Sequence, residues 1–137
     1  MSKLACENCI KGYFSGIKGV LCAYLFGSVA ADKDNPYSDV DIAVLYDDSV
    51  APSEYTDKQI DLSVELSRLL DRNVDIIILN NAGPFLKFQV IQNGTRVYEN
   101  PARSGRAFEA YSLIEYFDFL PLKNMLESSL IRRIKEA

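Results

Sequence analysis

The chain contains no histidine. That absence removes every histidine-based triad, every imidazole acid or base and every histidine metal ligand, and leaves the chemistry to Asp, Glu, Cys, Ser, Lys or a metal. Cysteine is scarce too: Cys6, Cys9 and Cys22 do not make a disulfide framework. Long apolar runs are missing. The stretch over 20–31 is broken by Gly27 and Ser28 and is too short to span a bilayer, and the first ten residues carry no apolar signal core. Positive charge is not in surplus either. Fifteen Lys and Arg stand against 19 Asp and Glu, a net charge of −4, which argues against the basic stripe of a general nucleic-acid binder. No repeat, low-complexity tract or dividing linker interrupts the pattern. The reading is a soluble, cytoplasmic protein with reduced thiols.

What is present is globular. The 137 residues are 48% hydrophobic and 25% charged, enough for one domain with a core and too few for two. Ile10, Tyr13, Phe14 and Ile17 recur at spacings of three and four, which predicts an amphipathic helix over 7–18 ended by Gly19. VLCAYLF over 20–26 predicts a buried strand, and Ser28 a helix N-cap, with Asn35–Pro36 stopping that short helix. Residues 39–46 (DVDIAVLY) predict a second strand. A helix follows over 53–70, with Leu62, Leu66, Leu69 and Leu70 on one face and Ile60 and Val64 widening the stripe. VDIIIL over 74–79 predicts a third strand, 85–92 a short helix and 95–98 a fourth strand at a sheet edge. From Pro101 onward the pattern is helical. Phe108, Tyr111 and Ile114 give its first stripe, Pro121 kinks or splits it, and Leu122, Met125, Leu126, Leu130 and Ile134 give a second stripe. The fold class is therefore mixed α/β (α+β in some schemes): a small sheet with helices packed on it and a helical C-terminal tail.

One constellation carries chemistry: Gly27-Ser28, ten residues, then Asp39-Val40-Asp41, with Asp75 at the head of the third strand. Residues two apart on a strand share a face, so Asp39 and Asp41 point the same way. Carboxylates that close raise one another's pKa unless a cation sits between them, and Mg²⁺ takes oxygen ligands while holding substrate phosphates. If the third strand lies beside the second, Asp75 joins them, and two Mg²⁺ ions can be held: one activating an attacking hydroxyl, one neutralising a departing pyrophosphate. Gly27 allows close backbone approach, and the first amides of a helix beginning at Ser28, with its hydroxyl, form a phosphate cradle. Either half alone is ordinarily a turn or a solvated strand end. Their joint occurrence at this spacing is far more specific.

Gly27-Ser28, Ser38-Asp39-x-Asp41 and Asp75 together resemble the minimal nucleotidyltransferases of the DNA polymerase beta superfamily. The tail, from Leu113-Ile114-Glu115-Tyr116-Phe117-Asp118-Phe119 to Ile131-Arg132-Arg133-Ile134-Lys135-Glu136, is similar to that of the MntA-type antitoxins. The resemblance implies a nucleotidyltransferase fold spanning 1–137 as a single domain, with 1–100 as catalytic core and 101–137 as helical tail. It implies ATP as substrate and Mg²⁺ as cofactor. It implies transfer of AMP to a hydroxyl, a tyrosine, of a HEPN-domain toxin that is thereby silenced in a hetero-oligomer. Asp39, Asp41 and Asp75 would be the catalytic and metal-binding carboxylates, with Asp75 also orienting or deprotonating the acceptor; Gly27 and Ser28 would hold the β and γ phosphates. Many members follow Gly-Ser with x-Ala-Arg-Gly. Here Ala30 is kept while Ala31-Asp32 replace Arg-Gly, so a basic phosphate contact is missing, and Lys33 is the nearby basic residue.

Other features carry less. Cys6-x-x-Cys9 has only Cys22 to complete a zinc site that needs four ligands, so these read as helix and core residues. Phe108, Tyr111, Tyr116, Phe117 and Phe119 sit among mixed charges, which fits core on one side and a protein partner on the other better than stacked bases. Arg103 and Arg106 read as solvated. Two alternatives stand beside the leading one: nucleotidyl transfer to a small-molecule hydroxyl, and a non-catalytic module that neutralises its partner by contact.

Overall fold

A computed structural model describes residues 3–27 and 39–136. The short helix expected from Ser28, its stop at Asn35–Pro36, and residues Ala30 to Lys33 lie outside the described residues. The first helix, α1 (Lys3–Ser15), begins earlier than the periodicity predicts and buries Cys6, Ile10 and Phe14 at four-residue spacing. Tyr13 and Ile17 flank that row half-buried. Gly19, at φ +86°, turns the chain into β1 (Val20–Phe26). Next come β2 (Val40–Tyr46), a 3-10 turn (Pro52–Glu54) and α2 (Tyr55–Leu70). Asp71 in the left-handed region ends α2, its amide bonded to the Ser67 carbonyl. β3 (Val74–Ile78), a second 3-10 turn (Leu79–Asn81), α3 (Pro84–Asn93), β4 (Thr95–Glu99) and α4 (Arg106–Glu136) complete the described chain.

The four strands form one mixed sheet in the order β3-β2-β1-β4. β1 runs antiparallel to β2 and β4, and β2 runs parallel to β3. Side-chain alternation gives the sheet two unlike faces. On one, Val40, Ile42, Val44 and Tyr46 of β2 join Val74, Ile76 and Ile78 of β3 and Leu25 of β1 beneath α1 and α2. On the other, Cys22, Tyr24, Ala43 and Leu45 join Val90 of α3, with Leu86 of α3 and Phe108 of α4 packed against them. Helices thus cover both faces in three layers.

Within α2, Leu62, Leu66 and Leu70 are buried, as the periodicity predicts. Leu69, Ile60 and Val64, assigned to the same stripe, are about half exposed. The reason is a polar row that sequence periodicity does not reveal. Gln59, Ser63 and Ser67, spaced by four, face the free edge of β3. Gln59 Nε2 donates to the Ile76 carbonyl (2.6 Å), Ser63 Oγ to the Val74 carbonyl (2.7 Å), and the Val74 amide donates to Ser67 Oγ (3.0 Å). The helix rolls to satisfy an open sheet edge, and the next row outward is left in solvent.

The helical tail settles one expectation and departs from another. Of the two outcomes expected at Pro121, a kink or a split, the split does not occur: one helix runs through it. Proline removes the amide that would bond the Phe117 carbonyl; Phe117 is exposed, so water can take that place. The row packed on the body is Phe108, Ser112 and Tyr116, and the predicted Tyr111 and Ile114 are exposed. Tyr116 decides this by stacking on Phe88 of α3 at 3.9 Å between ring centroids, beside the Lys87–Glu115 ion pair at 3.2 Å. Leu122, Met125, Leu126, Leu130 and Ile134 are exposed along the distal half. None of the described helices is long and apolar enough to cross a membrane.

Candidate active site

The carboxylates gather at the end of the sheet where β1 finishes and β2 and β3 begin. In register, Phe26 lies opposite Asp41, and Asp41 lies opposite Asp75. Neighbouring strands are about 4.8 Å apart and paired residues emerge on one face, so parallel pairing of β2 with β3 sets these two carboxylates side by side. This row continues the face of Tyr24, Ala43 and Leu45 beyond the cover of α3 and α4. Asp75 is exposed and Asp41 half-buried; Asp39, also exposed, immediately precedes β2.

The carboxyl of Asp41 is pushed above its ordinary range, first by burial, then by the negative charge of Asp75 and of Asp39. All three causes act upward. The three residues therefore form one electrostatic unit whose ionised state calls for a counter-cation. The donor set, oxygen only and excess in negative charge, fits a hard divalent ion such as Mg²⁺. Among the described residues, no three acidic or thiol side chains lie close enough to make a ready metal cluster. The carboxylates are assembled in one place without being drawn onto one point.

Gly27 follows β1 at φ +76°, a conformation L side chains rarely adopt. A Cβ there would stand 2.3 Å from Asp41 Oδ2. The glycine thus does two things: it turns the chain out of the sheet, and it leaves the space that the Asp41 carboxylate occupies. Ser28, the other expected phosphate contact, lies outside the described residues.

The remaining sequence candidates sit elsewhere. Arg103 pairs with Asp47 at 3.9 Å, beyond the opposite end of β2 from Asp41, and Arg106 lines the same concavity with Glu99 and Asn100. Cys6 and Cys22 are buried, and burial pushes the Cys22 thiol up to about 11, so it stays protonated and inert. A network that sequence reading missed locks α4 to this face: Tyr24 Oη donates to Glu109 (2.5 Å), which also receives Arg96. The residues from Gln59 to Val64 on α2 were also missed as neighbours of Asp75. The only sequence signal for them was a four-residue polar spacing.

A family model described as polymerase beta, nucleotidyltransferase matches residues 8–103. The chain belongs to that family. Residues of this nucleotidyltransferase on α1, all four strands and the loop before α4 fall within the match. Solved structures share its fold. One is a complex of a tri-AMPylated HEPN toxin with an MNT antitoxin from Shewanella oneidensis, with TM-score 0.72 and 23% identity over 94% of this chain and 98% of the other. A toxin–antitoxin structure with AMP-PNP gives 0.63 and 24%, covering 95% and 96%. An MntA–HepT toxin–antitoxin structure gives 0.66 and 22%, covering 96% and 98%. No curated protein matches the sequence.

Proposed function

We propose that this nucleotidyltransferase moves AMP from ATP to a hydroxyl, a tyrosine, on a HEPN-domain toxin and thereby neutralises it in the cytoplasm. The single observation that carries the reading is the in-register Asp41–Asp75 pair, with the Asp41 carboxylate seated against Gly27 where no side chain could fit. The solved relatives support it: one is bound to a tri-AMPylated HEPN toxin, another contains AMP-PNP. In this reading residues 1–137 act as one domain, 1–100 as core and 101–137 as tail.

The acceptor oxygen attacks the α-phosphorus in line. A new oxygen–phosphorus bond forms as the bond from the α-phosphorus to the bridging oxygen breaks, and pyrophosphate leaves. Asp75, the outermost carboxylate, orients the acceptor and takes its proton. Asp39, Asp41 and Asp75 would hold Mg²⁺, as one ion or two. Bound Mg²⁺ supplies charge neutralisation for the triphosphate and acidifies the acceptor. Gly27, with no Cβ, would let the backbone come close to the phosphates, and Ser28 would offer its hydroxyl to them.

The test is label transfer from ATP carrying ³²P at the α position, run beside γ-labelled ATP and the Asp41→Asn protein. Label in the toxin from the α position only, lost in the variant, is the expected result. A variant that still transfers AMP refutes the site. An Mg²⁺ titration read by the Asp41 carboxyl resonance gives a measure that needs no turnover: the ion should lower the Asp41 pKa. A contact-only antitoxin is the second reading, favoured by Ala31-Asp32 in place of Arg-Gly and by the exposed distal face of α4. It predicts that Asp39→Ala and Asp41→Ala proteins neutralise toxin at equal dose with no covalent mark. Transfer to a small hydroxyl compound predicts label in a small molecule instead.

A further inference from the structure

The acceptor must approach Asp75 from somewhere, and the described residues build a surface beside it. At the free edge of β3, Gln59, Ile60, Ser63 and Val64 of α2 and Asp75 and Ile76 of β3 enclose a cleft of about 270 Å³. That lies just below the roughly 300–1,000 Å³ usual for small-molecule sites, so it suits one side chain rather than a nucleotide. Two of its polar members, Gln59 and Ser63, are already engaged. Gln59 and Ser63 donate to the β3 backbone at 2.6 and 2.7 Å, which closes this stretch of edge to an added strand. What remains on offer beside the Asp75 carboxylate is apolar: Ile60 and Val64, 56% and 52% exposed, one turn apart. Asp57 and Asp61, both exposed, stand on the outer side of that pair by helical geometry. The chain as a whole carries −4.

We infer that Ile60 and Val64 dock the segment that carries the acceptor tyrosine, and that this segment has basic neighbours. This rests on the transfer reading above and adds its acceptor subsite. An aromatic ring can lie on the two aliphatic side chains while its hydroxyl reaches the Asp75 end of the cleft; a serine or threonine has no ring to use that wall. Lysine or arginine beside the tyrosine would meet Asp57 and Asp61, whose fields favour cations. Ile60 and Val64 are specificity-determining residues in this account and touch no reacting atom.

The experiment uses the full chain, Mg²⁺-ATP and a HEPN toxin that the wild-type protein modifies. Ile60→Ser/Val64→Ser should raise KM for the toxin about tenfold, the scale expected from losing part of two aliphatic contacts. Its kcat at saturating toxin should stay within about twofold and its Mg²⁺-ATP affinity should not change. An unchanged KM, or a loss confined to kcat, overturns the inference. An independent arm titrates the protein with a Lys-Lys-Tyr-Lys-Lys peptide while following methyl resonances. Shifts at Ile60 and Val64 are expected, weaker with Glu in place of Lys, with Asp57→Lys/Asp61→Lys reversing that preference. No shift at millimolar peptide overturns the docking even where transfer proceeds. Docking without any transfer to protein leaves the cleft standing and refutes the function.

Discussion

The two faces of the sheet are built from the same strands and do different work. Among the described residues, the face under α1 and α2 gathers 20 buried core residues, whereas the opposite core holds six. The first is apolar along the full length of β2. The second stops one row short, and in that row stand Phe26, Asp41 and Asp75. A pair of neighbouring carboxylates costs stability, and a fold tolerates it where the reverse side of the same strand is fully packed. Val40 and Ile42, flanking Asp41 in sequence, are both at zero exposure on that reverse side. The charged row is held from behind.

Substitutions on each side test this division of labour. The largest effect belongs to the packed face. Phe14→Ala removes a fully buried ring stacked on Tyr98 and should cost about 3–5 kcal/mol in chemical denaturation. On the open face the polar lock is worth less. Tyr24→Phe deletes the donor to Glu109 and should cost about 1–2 kcal/mol in the same measurement. If Tyr24→Phe proves as costly as Phe14→Ala, the two faces are not unequal in the way proposed.

Asp41→Asn should move stability the other way. Because the folded pKa of Asp41 stands above its unfolded value, the ionised group penalises the fold above the folded pKa. That penalty fades as pH falls through the folded pKa towards the ordinary carboxylate value. The variant should therefore melt above wild type at neutral pH, with the gap closing in acid. A gap that widens in acid would reverse the electrostatic assignment. Added Mg²⁺ should raise the wild-type midpoint and leave the variant nearly unmoved. The smallest effect is expected beyond the body. Leu130→Ala on distal α4 should change the stability of the isolated chain by no more than about 0.5 kcal/mol, since Leu130 is 59% exposed.

Much of this was legible from the residues. VLCAYLF announced β1 with its exact bounds, and the leucines at 62, 66 and 70 announced the buried side of α2. Gly27 reads as a breaker after a strand, and its positive φ agrees. The errors cluster where more than one face is apolar. In α4, aromatics lie all round the helix, so periodicity alone favoured Tyr111 and Ile114 over the row that stacks on α3. In α2, the exposure of Ile60 and Val64 followed from edge-capping bonds to β3, a partner that local pattern does not name.

The sequence by itself determined the element types, the existence of the two aspartates around Val40, and the absence of any imidazole to compete with them. These are local facts, written in composition and spacing. Which carboxylate meets Asp41, which side of α4 is covered and what stands beside Asp75 were decided only by tertiary structure. Each depends on strand order and register, and the parallel pairing of β2 with β3 joins residues 34 positions apart. No short window of the chain contains both partners of such a contact, and the pleat lets one slip of register send either carboxylate to the other face.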